Sequence, residues 1–166
     1  MSRIVLLLAL ALPSPAARAA ETESVEHTVI IGGGGAIERE LGERSTHAGA
    51  NVFLEYEAIQ GWLELELGVS WLAVPGGTEL PIDLLMKKPF SLTRELELMV
   101  GVGPQIVRVF HPNEGGTFLG VEFALDFMYW PTRHVGLWLQ PAYGVVFRGS
   151  GSSHGLSSTA GIIAGW

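Results

Sequence analysis

From Leu63 to Trp71 the chain reads Leu-Glu-Leu-Glu-Leu-Gly-Val-Ser-Trp, apolar at every odd position and acidic or small at every even one. On a helix that order would spread charge all round the cylinder, whereas on a strand it separates onto two faces. The same period of two recurs along the chain. Ala50, Val52, Leu54, Tyr56 and Ala58 alternate with Asn51, Phe53, Glu55 and Glu57. Leu80, Ile82, Leu84 and Met86 are set against Asp83 and Lys87, and Leu96 to Ile106 by twos against Glu95, Glu97, Gly101, Gly103 and Gln105. Leu119 to Tyr129 opposes Gly120, Glu122 and Asp126; Val135 to Phe147 opposes Gly136, Gln140, Gly144 and Arg148. The last segment runs Leu156, Ser158, Ala160, Ile162, Ala164, Trp166.

Across these seven segments the apolar set contains no charged residue. A Lys or Arg turned to lipid at mid-membrane costs ~2–4 kcal/mol, so its absence is the economy expected where hydrocarbon lies outside. A soluble sandwich would bury the apolar set and turn its charges to water. An eighth strand, Thr28 to Glu38, carries Val29-Ile30-Ile31 and then Gly32 to Gly35. No Lys-Ser/Thr and no helical pattern follow these glycines, so they are not a phosphate cradle. Glycine inside a strand marks a kink or a close backbone approach, here at the join of first strand to last. The pattern predicts an all-β, eight-stranded, antiparallel up-and-down transmembrane β-barrel.

Arg3, the apolar run Ile4 to Leu12 and the small residues of Ala17-Arg18-Ala19 have the layout of a cleaved signal, residues 1–19, ahead of a barrel domain over 20–166. Nine apolar residues are too few for a spanning helix, which needs ~20. Without cysteine the chain has neither disulfides nor thiolate metal sites. Removing Arg3 and Arg18 leaves 8 Lys and Arg against 17 acids, a charge near −9. That excludes nucleic acid as a partner, because its binding rests on basic groups neutralising phosphates.

With both termini on the periplasmic side, Ile59 to Trp62, Pro89 to Thr93 and Pro131 to His134 become inner turns. Arg39 to His47, Pro75 to Thr78, His111 to Gly116 and Gly149 to Gly155 become short outer loops. Trp62, Phe90, Trp130 and Trp166 fall near one rim, and Trp71, Phe110, Phe118 and Phe147 near the other. Pro81, Pro104 and Pro141 each remove a ladder donor inside a strand, so bulges or frayed pairing are expected there.

If Gln60-Gly61 is a two-residue turn, Glu57 sits opposite Glu64 and Glu55 opposite Glu66. Asp83, Glu95, Glu97, Glu122 and Asp126 share that inner face, giving nine candidate ligand- or ion-binding carboxylates. Lys87 and Arg148 are the inner counter-charges, with Arg94 and Arg108 near strand ends. Like charges opposed across a ladder repel, so water, protonation, basic side chains or a cation must compensate. A lumen of eight strands is just filled by side chains, which argues for a hydrated plug and against a metabolite pore.

With its signal, alternating strands and aromatic terminus, the chain resembles the small eight-stranded outer-membrane barrels of Gram-negative bacteria, the group of the OmpA membrane domain and OmpX. Gly101-Val102-Gly103-Pro104 and Glu122 to Pro131 resemble segments of an uncharacterised subgroup of these barrels. The resemblance implies export by the Sec route, a place in the outer membrane beside lipid and lipopolysaccharide, and a monomer. It also implies insertion by the barrel-assembly machinery through Ile162, Ala164 and Trp166. No cofactor and no metal are implied. The expected role is non-enzymatic, structural or small-ion- and ligand-interacting.

Two alternatives follow other features. Enzymes on small barrels of this membrane trim or transfer acyl chains of lipid A, using His with Ser and an acid. His154-Gly155-Leu156-Ser157 echoes a His-x-Ser deacylase motif, one residue too long, making His154 and Ser157 the catalytic candidates. His47, His111 and His154 fall at the outer end, while His27 and His134 read as solvated. A periplasmic lipocalin-like barrel is the other alternative, and it requires an apolar lumen.

Overall fold

Eight strands close on themselves in chain order: β1 (Val29–Glu40), β2 (Thr46–Ile59), β3 (Leu63–Val74), β4 (Gly77–Ser91), β5 (Leu96–Phe110), β6 (Gly116–Tyr129), β7 (Val135–Arg148) and β8 (Gly151–Gly165). Every neighbouring pair is antiparallel, and β8 returns to β1. The computed structural model describes residues 27–111, 115–149 and 151–166. The expected signal at residues 1–19 and residues 112–114 of the predicted loop His111 to Gly116 lie outside the described residues.

The predicted parity is the observed one. Val52, Leu54, Tyr56, Leu67, Trp71, Leu84, Met86, Phe123, Leu137 and Ile162 are exposed on the outer wall, while their alternating partners are buried within. Soluble monomers rarely expose apolar patches above roughly a few hundred Å², so this wall suits hydrocarbon and not the water around a lipocalin-like barrel. Glu55 pairs with Glu66 and Glu57 with Glu64, but through a wider turn than expected. The register shifts between Glu57 and Ile59, leaving Gln60, Gly61 and Trp62 to turn, with Gly61 at φ 61°.

The strands reach further than the apolar pattern showed. β4 absorbs Gly77 and Thr78 at one end and Pro89 to Ser91 at the other, and β8 absorbs residues 151 to 155, so two connections shrink to Pro75-Gly76 and residues 149–150. Pro81, Pro104 and Pro141 each interrupt one ladder without shifting register. The β3–β4 pairing skips the positions beside Pro81, β4–β5 those beside Pro104, and β6–β7 those beside Pro141. The other ladder of each proline runs through it.

Closure depends on small residues at the seam. Gly34 faces Gly161, and a Cβ on Gly34 would lie 2.0 Å from the Ala160 carbonyl oxygen. The last residue finishes the ring: Thr28 N–H donates to Trp166 O at 2.7 Å, and Trp166 N–H to Val29 O at 3.0 Å. His27, expected to be solvated, is buried beneath this clasp. Its ring stacks on Trp130 at 4.0 Å, and Nε2–H donates to Arg133 O at 2.7 Å. Burial lowers its pKa, against the smaller opposing effect of that hydrogen bond. More protons bind the unfolded state, so the clasp is firmest above the ordinary value of 6.5 and weakens as pH falls through the lower folded value. An NMR titration of His27 should give a midpoint below 6.5; a midpoint at or above it would contradict the burial.

Trp62, Phe90 and Trp166 stand exposed at the rim bearing the termini, and Trp71, Phe110 and Phe147 at the opposite one. Trp130 does not join the first belt: it is buried, because the inward parity of Asp126 and Met128 continues through it. Phe118 likewise turns inward, under the Arg148 guanidinium at 5.3 Å. Lys88 follows the outward parity at the rim, over the rings of Trp62 and Phe90. Its long stem reaches past the apolar wall, which is how a lysine remains tolerable there.

Candidate functional site

The lumen is layered. Nearest the termini, Ile30, Phe53, Met99, Met128, Trp130, Trp138 and Ile163 fill the barrel as one apolar plug. Phe53 is admitted by a glycine, since a Cβ on Gly32 would lie 2.1 Å from its ring. The expectation of a hydrated lumen therefore fails in this half. These residues are inward by parity, but of the seven the sequence reading placed only Phe53 on the inner face and let the acids stand for the whole lumen.

Above the plug sits one cation. Lys87 enters from β4 with no exposed side-chain surface, and its Nζ donates to Glu55 Oε2 at 2.8 Å and to Glu66 Oε2. It also pairs with Asp126 Oδ2 at 2.5 Å. Gly101 makes room for the lysine stem, since a Cβ there would lie 2.9 Å from Lys87 Cγ. The three carboxylates offer oxygens within 4.8 Å of one another, a spacing that suits a metal ion. Lys87 Nζ stands in that place. The network extends through Gln140 Nε2, which donates to Glu66 Oε1 at 3.1 Å, and Thr159, which donates to Gln140 Oε1 at 3.3 Å. Burying these charges is tolerable only because each of the three carboxylates meets the ammonium group.

The remaining predicted carboxylates serve other places. Asp83 and Glu122 are buried higher in the lumen, where Gln105 Nε2 donates to Glu122 Oε2 at 2.7 Å. Glu64 is buried beside the cluster, and Glu97 is half-buried nearby. Glu57 caps the β2–β3 turn by accepting the Gly61 N–H at 2.7 Å. Glu95 is not a lumen group: β5 begins after it, and it stands exposed in the β4–β5 turn. Arg94 is exposed in the same turn, and Arg108 faces outward, donating to Thr117 Oγ1 at 2.6 Å. Two polar voids of about 30 and 20 Å³ occupy this upper lumen, room for a water or two.

At the far end the barrel widens into a mouth cavity of about 400 Å³. Arg148 Nη2 donates to Glu79 Oε1 at 3.3 Å across it, so the second predicted counter-charge serves the mouth. His47 is only 8 % exposed and lines this cavity with His111. His154 does not join them. It lies on the outward parity of β8 and is exposed, whereas Ser157 is inward by the same count and lines the smaller void. Three residues apart on one strand, the two catalytic candidates point to opposite sides of the wall and cannot act together. The sequence reading missed Glu79 and Thr159, both inward by the same count of two, and gave Gln105 and Gln140 an inward place but no role.

No protein-family model matches the chain, and no curated protein is similar to it in sequence. Solved structures match its shape. Neisserial surface protein A superposes with a TM-score of 0.66 at 12% identity, covering 84% of this chain and 97% of its own. The outer membrane protein OprG from Pseudomonas aeruginosa gives 0.63 at 14%, covering 87% and 99%. This chain has the fold of the small outer-membrane barrels. The N-terminal barrel domain of OprF from Pseudomonas aeruginosa agrees, at 0.57 and 11% identity over 84% and 98%. Identities this low carry the fold and leave the interior of this barrel to be read from its own residues.

Proposed function

We propose that the chain is an outer-membrane barrel whose lumen is a lysine-braced structural plug, neither an ion site nor an ion path. The observation that carries this reading is Lys87. Its ammonium group holds three carboxylates together where a bound cation would otherwise sit, directly above an apolar layer. An exported monomer is the form this reading takes, with both termini in the periplasm and its wall against lipid and lipopolysaccharide. Ile162, Ala164 and Trp166 supply the edge that the assembly machinery handles; Ile162 and Trp166 are outward and exposed, and the Trp166 backbone closes the ring. Inserted into planar bilayers, the refolded protein should pass no measurable current, and calcium titrated into it should give no saturable heat. Cation-selective steps that vanish in a Glu55→Gln variant would overturn the reading.

A further inference from the structure

The lipid-facing wall carries a chain of polar side chains that neither the plug nor the closure uses. Tyr143 on β7 and Ser152 and His154 on β8 share the outward face, where Val145 pairs with His154 and Phe147 with Ser152. Phe147 belongs to the aromatic belt of the mouth end, so this group sits at headgroup depth. Tyr143 Oη lies 2.6 Å from His154 Nδ1, and Ser152 Oγ lies 3.2 Å from His154 Nε2. One tautomer uses both contacts: Nδ1–H donates to the phenol oxygen, and the Nε2 lone pair accepts the Ser152 hydroxyl. A hydroxyl, a base and a group that orients the base is the order in which a serine becomes a nucleophile.

Beside this group the wall is dented. A groove of about 340 Å³ runs between Phe123, Leu125, Pro141, Tyr143 and Leu156. It lies where the β6–β7 ladder lacks its Leu125–Pro141 pair. Tyr143 lines the groove and touches His154, and Leu156 is the next outward residue after His154 on β8. An acyl chain in this groove would lie in hydrocarbon, with its ester carbonyl at the interface near Ser152.

We propose that Ser152 and His154 are catalytic residues of an esterase site for acyl chains of membrane lipids, with Tyr143 as positioning residue. This goes beyond the structural reading of the lumen but rests on the wall facing lipid. Ser152 Oγ attacks the ester carbonyl carbon while His154 Nε2 takes its proton. The carbon–oxygen bond to the headgroup breaks, and His154 returns the proton to the departing alkoxide. Water, deprotonated by the same Nε2, then cleaves the acyl-serine, releasing a fatty acid and restoring the hydroxyl. The serine is not the one the sequence motif suggested.

Both lipopolysaccharide and phosphatidylethanolamine carry such esters, so the folded barrel in detergent micelles should be given each separately, with fatty acid release read by mass spectrometry. Release from either supports the site, and the lipid cleaved names the source. Ser152→Ala and His154→Ala should each lower the rate at least ~100-fold, while Ser153→Ala, inward on the same strand, leaves it unchanged. Tyr143→Phe keeps the groove's ring and should lower kcat with KM unmoved. A fluorophosphonate should label Ser152 in the wild type and nothing in Ser152→Ala. A barrel that runs as folded on a heat-modifiability gel, yet releases no fatty acid from either lipid and takes no label, overturns this proposal and leaves the membrane reading intact. Monodispersity without detergent would sink the membrane reading instead.

Discussion

Replacing Lys87 with methionine should cost at least about 3–5 kcal/mol, the penalty for removing one partner of a buried ion group. The side chain has no exposed surface and holds Glu55, Glu66 and Asp126 together. Methionine fills a similar volume, so the loss would come from three carboxylates left facing one another without a cation. The decisive control is to neutralise all four positions at once: Lys87→Met with Glu55→Gln, Glu66→Gln and Asp126→Asn. Replacing a whole buried ionic group by neutral side chains is often neutral or stabilising, so this variant should recover most of the loss. Urea midpoints in lipid vesicles, with unchanged slopes, would measure both. If the single variant unfolds where the wild type does, Lys87 is not the keystone of the lumen.

The other large effect belongs to the seam. Gly34→Val should prevent formation of the closed barrel, because its Cβ would meet Ala160 O at 2.0 Å and Gly161 Cα at 2.7 Å. These are backbone atoms of the strand that must pair for the ring to close, and neither moves without opening the ladder. The expected cost exceeds the ~4–5 kcal/mol that marks the far tail of single substitutions. Gly35→Val, one residue on, meets nothing within 4 Å and should fold normally. Heat-modifiable mobility on gels distinguishes the two outcomes. A Gly34→Val protein that still runs as a folded barrel would mean that the seam is looser than this geometry.

The architecture was legible because one period repeats in strand after strand, so small errors at ends changed nothing: misplacing the start of β4 left Leu84 outside and Asp83 inside. The local pairing of Glu55 with Glu66 was legible too, since a short turn fixes it. Lys87 meeting Asp126 was not, because β4 and β6 are brought together only across the closed lumen. Trp130 marks a different kind of miss. Counting in twos from Asp126 through Met128 already sends it inward, but a tryptophan near a strand end reads as an interface residue by type. Ser152, and the face on which His154 stands, were hidden by the converse habit. A polar run after Gly149-Ser150 looks like loop, although the count back from Leu156 puts both on the lipid side.

The connections at the mouth end have a consequence for how such a molecule meets the world. Two of the four are Pro75-Gly76 and Gly149-Ser150, and a third is only Leu41 to Ser45. In the proposed orientation, these three short turns would leave an antibody or a phage tail little to grip. Whatever this protein does for its cell would then be done sideways, among the molecules that surround it in the plane of the sheet.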